Sequence, residues 1–203
     1  MHILTDGPRT GIALWALLYV SDYAFTIACA RMYHAGVRQI LVFEGSYELT
    51  PFFQKDVNAL RSISPRFILA LLWGIALLGT LWWLSKDVWP EAYRFALGSL
   101  ILVQLAVHVR HVRNFVLFRK TLAGQGVRGR VEYPRPLMLQ LSALELVCFA
   151  IVFLAGFLAT WSVFLLGGAA GCLVNAGKHL RLAGKHVPGV HEAAQQGDEA
   201  DER

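Results

Sequence analysis

The chain is poor in charge. Only 16% of its 203 residues are Asp, Glu, Lys or Arg, and these cluster between long uncharged stretches. That placement excludes a soluble helical bundle, in which every helix needs a charged outer face. Cysteine is as scarce, with Cys29, Cys148 and Cys172 isolated inside apolar runs. No C-x-x-C pair exists, so neither a metal knuckle nor a disulfide framework is available, and the three thiols read as small buried hydrophobes. No Ser or Cys stands in a motif with a base and no phosphate loop is present, so nothing supports nucleophilic catalysis. The formal net charge of +5 would suit nucleic acid. The basic residues, however, flank the apolar runs instead of forming a stripe with interleaved aromatics, and nucleic acid is excluded as a partner.

What the chain has in excess is hydrocarbon, at 56% hydrophobic residues and a mean hydropathy of +0.47. A helix rises about 1.5 Å per residue and a bilayer core is about 30 Å thick, so each crossing needs about 20 apolar residues. Spans are expected at 10–32, 67–84 and 95–118, followed by an apolar stretch over 137–180. As one helix, that last stretch would reach about 60 Å, twice the membrane. It is therefore divided into 137–158 and 160–180, with a tight turn at Ala159-Thr160-Trp161-Ser162 where a Thr or Ser caps the second helix. The expected fold class is all-α: a polytopic integral membrane helical bundle of five transmembrane helices, with residues 1–185 forming one domain. Ala28-Cys29-Ala30 has the small-x-small form of a signal cleavage site. The residues before the first run (His2, Asp6, Arg9) lack positive character and the run continues past a signal core, so cleavage or lipid attachment at Cys29 is rejected.

Short cytoplasmic segments carry the excess of Lys and Arg. With five spans and the N-terminus outside, sixteen of the nineteen basic residues fall on the inner side; Arg9, Lys86 and Arg94 fall outside. Trp15, Trp82, Trp83, Trp89 and Trp161 then lie near the outer face and Trp73 near the inner one, as an aromatic belt requires. The C-terminus is placed in the cytoplasm, and a bias of 14 Arg to 5 Lys suggests a bacterial inner membrane. Residues 186–203, rich in Asp, Glu and Gln, have little to bury and are expected to be a disordered acidic tail.

The first inner connection contains the β-prone Ile40-Leu41-Val42-Phe43 and then Thr50-Pro51, an N-cap followed by proline at the first helical position. A short helix over 51–63 would place Phe52, Phe53, Val57, Leu60 and Ile63 on one side, an interfacial amphipathic helix at the cytoplasmic face. Asp56 interrupts that side, which points to packing on protein polar groups rather than on lipid. In the second inner connection Gly124-Gln125-Gly126-Val127-Arg128-Gly129 is a formal G-x-G-x-x-G, but it lacks the preceding strand and later acidic residue of a dinucleotide fingerprint. Tyr133-Pro134-Arg135-Pro136 is read as excluding a helix opening there, and a turn with a short hairpin over 127–133 is expected.

Ionisable groups inside a span are costly and so mark candidate sites. Asp22 lies near the middle of the first span, with Thr26 and Cys29 on its face. Gln104, His108 and His111 form one stripe of the third span, while Arg110 and Arg113 point elsewhere and snorkel to the headgroups. The fourth span offers Ser142 and Glu145, and the fifth Gly168, Gly171, Asn175 and Lys178. His108 and Glu145 come out about 10 to 12 Å deep and Asp22 about 15 Å. An intramembrane cluster of Asp22, Gln104, His108, His111, Glu145, Asn175 and Lys178 is expected in the inner half of the bundle. The leading reading is a non-enzymatic structural or accessory membrane protein whose cluster is glue between helices. The second is a proton- or ion-linked small transporter using the cluster. The third is a metal-dependent membrane enzyme with His108, His111, Glu145 and Asp22 as weak ligand candidates; no cofactor is otherwise implied. The G-x-x-x-G of Gly167 and Gly171 suits packing inside the bundle. The lipid bilayer is the expected partner, and a homodimer or larger membrane complex stays open.

On cell fractionation the chain is expected in the membrane pellet, released by detergent and not by high salt. A monodisperse, detergent-free protein in the supernatant would refute lipid as its solvent.

Overall fold

A computed structural model describes residues 7–45, 48 and 50–185; the expected acidic tail lies outside them. Among the described residues there are six α-helices: α1 (Pro8–Ala35), α2 (Pro51–Asn58), α3 (Pro65–Ser85), α4 (Pro90–Leu122), α5 (Arg135–Thr160) and α6 (Val163–Ala183). Five of them, all but α2, are long and apolar enough to cross a membrane. The expected division of the last apolar stretch is present: Trp161 takes a left-handed backbone, its N–H bonded to the Phe157 carbonyl at 2.6 Å, and Ser162 is the N-cap of α6. Prolines open α1, α2, α3 and α4, where a missing N–H costs nothing. The same rule corrects the reading of Tyr133-Pro134-Arg135-Pro136. Pro134 is the N-cap and Pro136 lies in the first turn, so α5 opens at the segment thought to forbid it.

Helix α6 sits centrally, against α5 on one side and α4 on the other; α4 also packs on α1 and α3. Close approach of α4 and α6 rests on missing side chains. A Cβ on Gly98 would strike the Phe164 backbone, one on Gly167 the Phe95 carbonyl, and one on Gly168 the Leu102 side chain. Small residues continue the seam, with Ala106, Cys172 and Ala176 buried beside Ala143 and Ala150 of α5. Trp15, expected in the outer belt, is instead buried over Gly74 and joins α1 to α3. Cys148 departs from expectation too, lying exposed while Cys29 and Cys172 are buried.

The two longer connections meet. β1 (Leu41–Phe43) and β2 (Val131–Tyr133) pair in parallel, Leu41 opposite Val131 and Phe43 opposite Tyr133. The expected hairpin is therefore absent: β2 satisfies its backbone on a strand from another connection, stabilised by Phe43 and Tyr133 at 5.5 Å and by the Glu44 carboxylate accepting from the Arg135 N–H at 2.9 Å. Because α3 and α4 run out and back between the strands, both connections occupy one end of the bundle, here the sheet end.

The amphipathic helix is shorter than expected. It stops at Asn58, Leu60 adopts a left-handed φ of 52°, and Ile63 lies outside it. Its polar interruption is the reason. Asp56 accepts from the Ser64 hydroxyl at 2.6 Å and from Arg61 at 3.1 Å, while Ser64 caps α3 through the Phe67 N–H. The Ser64 hydrogen bond holds the Asp56 carboxyl below the usual carboxylate range. Val57 is buried against Tyr23, Ile27 and Phe67, so α2 docks on α1 and α3.

Gly98→Ala is expected to destabilise the bundle by about 1 to 3 kcal/mol through overpacking against the Phe164 backbone. Gly79→Ala, whose Cβ meets nothing within 4 Å, should be neutral or slightly stabilising. Unfolding of both variants in detergent checks the contrast.

Candidate functional site

A cavity of about 240 Å³ opens between the middle of the bundle and its sheet end. α1 supplies Tyr19, Asp22, Tyr23 and Thr26, and α4 supplies Gln104, Arg110 and His111. α6 adds Asn175 and His179, and the first connection adds Glu48, Thr50, Phe53 and Val57. The helix periods explain the convergence: Asp22 and Thr26 are one turn apart, as are Asn175 and His179, while Gln104 and His111 are two turns apart.

The central contact is Asp22 Oδ1 to His111 Nε2 at 2.5 Å, with the His111 side chain 10% exposed and Asp22 25%. A carboxylate oxygen and an imidazole nitrogen this close form a hydrogen bond, charge-assisted when the imidazole is protonated. His111 Nδ1, Gln104 Oε1 and His179 Nδ1 are buried without a hydrogen-bond partner. Buried polar atoms in that state cost free energy until water or another polar group pairs with them. The His111 ring also lies parallel to Phe25 at 6.3 Å, which fixes its orientation.

Of the expected cluster, the structure brings together Asp22, Gln104, His111 and Asn175. Asn175 turns partly inward on itself, donating to the Gly171 carbonyl at 2.9 Å. His108 faces away from the cavity: Nδ1 lies 2.6 Å from the Gln104 carbonyl and Nε2 2.6 Å from Ser21 Oγ. Since the carbonyl only accepts, Nδ1 carries a proton. Ser21 has one hydroxyl proton and also lies 3.0 Å from the Leu18 carbonyl. It therefore bonds a neutral His108 by donating to it, or a charged one by accepting. Glu145 pairs with Arg113 at 3.3 Å, and Lys178 is exposed and outside the lining. Arg110 corrects the expectation that it snorkels away, for it lines the cavity and donates to Ser142 across to α5. Of the four weak metal candidates Asp22 and His111 meet while His108 and Glu145 bond elsewhere, and among the described residues no group of three or more His, Cys, Asp or Glu is placed to hold a metal ion.

Glu48 was not foreseen. Its carboxylate accepts from the Thr50 N–H at 2.7 Å, its carbonyl from Gln54 at 2.9 Å, and the half-buried residue lines the cavity. Burial pushes its carboxyl above the ordinary range and the Asp22 charge adds to that, against the Thr50 bond and the Arg110 charge. Compared with protein families, curated proteins and solved structures, the chain finds no match, so the site is argued from its own geometry.

A raised Glu48 pKa means that the folded chain holds this proton more firmly than the unfolded one. Its stabilising effect is full below the ordinary Glu range and is lost as pH rises through the raised value, from about pH 4 upward. Glu48→Gln should remove that part of the pH dependence, visible as a flatter plot of thermal midpoint against pH.

Proposed function

We propose that the chain is a multi-pass integral membrane protein whose sheet end faces the cytoplasm, and that the cavity is a proton-linked site for a small polar or ionic solute. Support for the membrane reading comes from what the five long helices leave outside. Leu69 and Trp73 of α3 and Ile151 and Val152 of α5 are each more than 60% exposed, a surface that lipid solvates and water does not. The inward orientation rests on the basic residues gathered at the sheet end and on Trp83, Trp89 and Trp161 exposed toward the other. A bacterial inner membrane remains the reading of the Arg bias.

The observation that carries the solute site is the Asp22 and His111 pair inside a cavity that also holds Glu48, Arg110 and His179. Carboxylates and imidazoles gathered in a bundle interior and open to a solute are what a proton-coupled carrier needs. A structural or accessory role is favoured by the bonds Arg110 to Ser142, Arg113 to Glu145 and Ser21 to His108, which fasten helix to helix.

Vesicles containing the purified chain and a trapped pH dye separate the two. Gradients of sodium chloride, tetramethylammonium chloride and sodium sulfate are imposed in turn. A carrier moves protons with at least one, Asp22→Asn slows that movement by about tenfold or more, and Glu145→Gln leaves it intact. Proton movement no faster than in protein-free vesicles for all three would leave the structural role.

A further inference from the structure

This inference rests on the membrane reading with the sheet end inward and names a lipid for that end. Between Pro51 and Arg66 the sequence has three basic residues, Lys55, Arg61 and Arg66, and one acid, Asp56. The fold adds a fourth cation from α1. Arg31 donates to the Ser62 hydroxyl at 2.7 Å, while Arg66 donates to the Phe52 carbonyl at 3.2 Å and lies over the Phe52 ring at 5.8 Å. These contacts gather the end of α1, α2, the turn after it and the start of α3 into one patch. Asp56 is buried with its carboxylate on Ser64 and Arg61, and the Arg66 charge acts on it as well. Four cations against this one carboxylate leave the patch positive. Glu48, next along the chain, lines the cavity, and the Glu44, Glu132 and Glu145 carboxylates of the sheet end accept from Arg135, Arg130 and Arg113.

Charge is only half of the patch. Ile63 is 73% exposed and Phe52 52%, so two large apolar side chains stand among the cations. Depth decides what covers them. Ile68, Leu69 and Leu72 of α3 are exposed, and at about 1.5 Å per residue Arg66 stands within about 5 Å of the first two along the helix axis. Where those side chains meet hydrocarbon, Arg66 is at the level of the headgroups, which a long basic side chain reaches by snorkelling. A soluble polyanion would cover the cations and leave Phe52 and Ile63 in water. A phospholipid offers phosphate to the cations and the upper part of its acyl chains to the apolar pair. A zwitterionic headgroup brings its own cation with each phosphate, so a positive patch favours lipids that lack one. We propose that this patch binds anionic phospholipid of the inner leaflet, with headgroup phosphate against Arg31, Lys55, Arg61 and Arg66 and with Phe52 and Ile63 among the upper acyl segments.

Nanodiscs of phosphatidylglycerol and phosphatidylcholine in equal amounts, carrying the full chain, test this when they are opened in a mass spectrometer and the lipids still bound are counted. Phosphatidylglycerol should outnumber phosphatidylcholine among the last lipids retained by about fivefold or more, the factor that one basic residue contributes at an anionic surface. Arg31→Gln combined with Arg66→Gln should lower that ratio by about threefold or more. Arg119→Gln combined with Lys120→Gln removes the same charge from another exposed part of the sheet end and should lower it by less than about twofold. Should the first pair fail to fold, Lys55→Gln, exposed on α2, is expected to lower it by about twofold. A short oligothymidylate at equal phosphate concentration should displace none of the bound lipid. No excess of phosphatidylglycerol, an equal loss in the two double variants, or displacement by the oligonucleotide would each overturn the inference. The membrane reading falls separately, if the chain does not enter discs of phosphatidylcholine alone.

Discussion

The architecture depends on how closely α4 and α6 approach. Gly98, Gly167, Gly168 and Gly171 remove the side chains that would hold these helices apart, so backbone meets backbone at the Phe164 and Phe95 carbonyls. Such contacts gain dispersion energy along the whole seam, because backbone packs on backbone with no side chain between. The approach also has a polar consequence. It sets the stripe of Gln104 and His111 on α4 beside Asn175 and His179 on α6, and α1 closes the remaining side with Asp22. A cavity of about 240 Å³ is then bounded by polar groups that cannot all pair with one another.

The helical part of this fold is legible in the sequence because hydropathy and length are one-dimensional quantities. The break near Trp161 follows from the same arithmetic, since a single helix over 137–180 would be twice too long for any bilayer. What fails is pairing at a distance. Ile40 to Phe43 reads as β-prone, but nothing local indicates that its partner is Val131 to Tyr133, reached only after two helices. Likewise a wheel drawn over 51–63 assumes a helix that continues, whereas Asp56 finds Ser64 and Arg61 and turns the chain at Leu60. The prolines before α5 mislead in the opposite sense: they forbid a helix interior and suit a helix start.

The candidate site divides along the same line. Asp22, Gln104, His111 and Asn175, which helical spacing and the cost of burial single out, line one cavity. His179 was findable on that ground, since it continues the i, i+4 series from Gly171 through Asn175, whereas Lys178 continues it by three and comes out exposed. Arg110 was misread because a charge near a helix end usually snorkels, and the hydroxyl of Ser142 holds it back. Glu48 had no signal at all, because its place in the cavity is set by the docking of α2 through Val57 and by the fold of a connection.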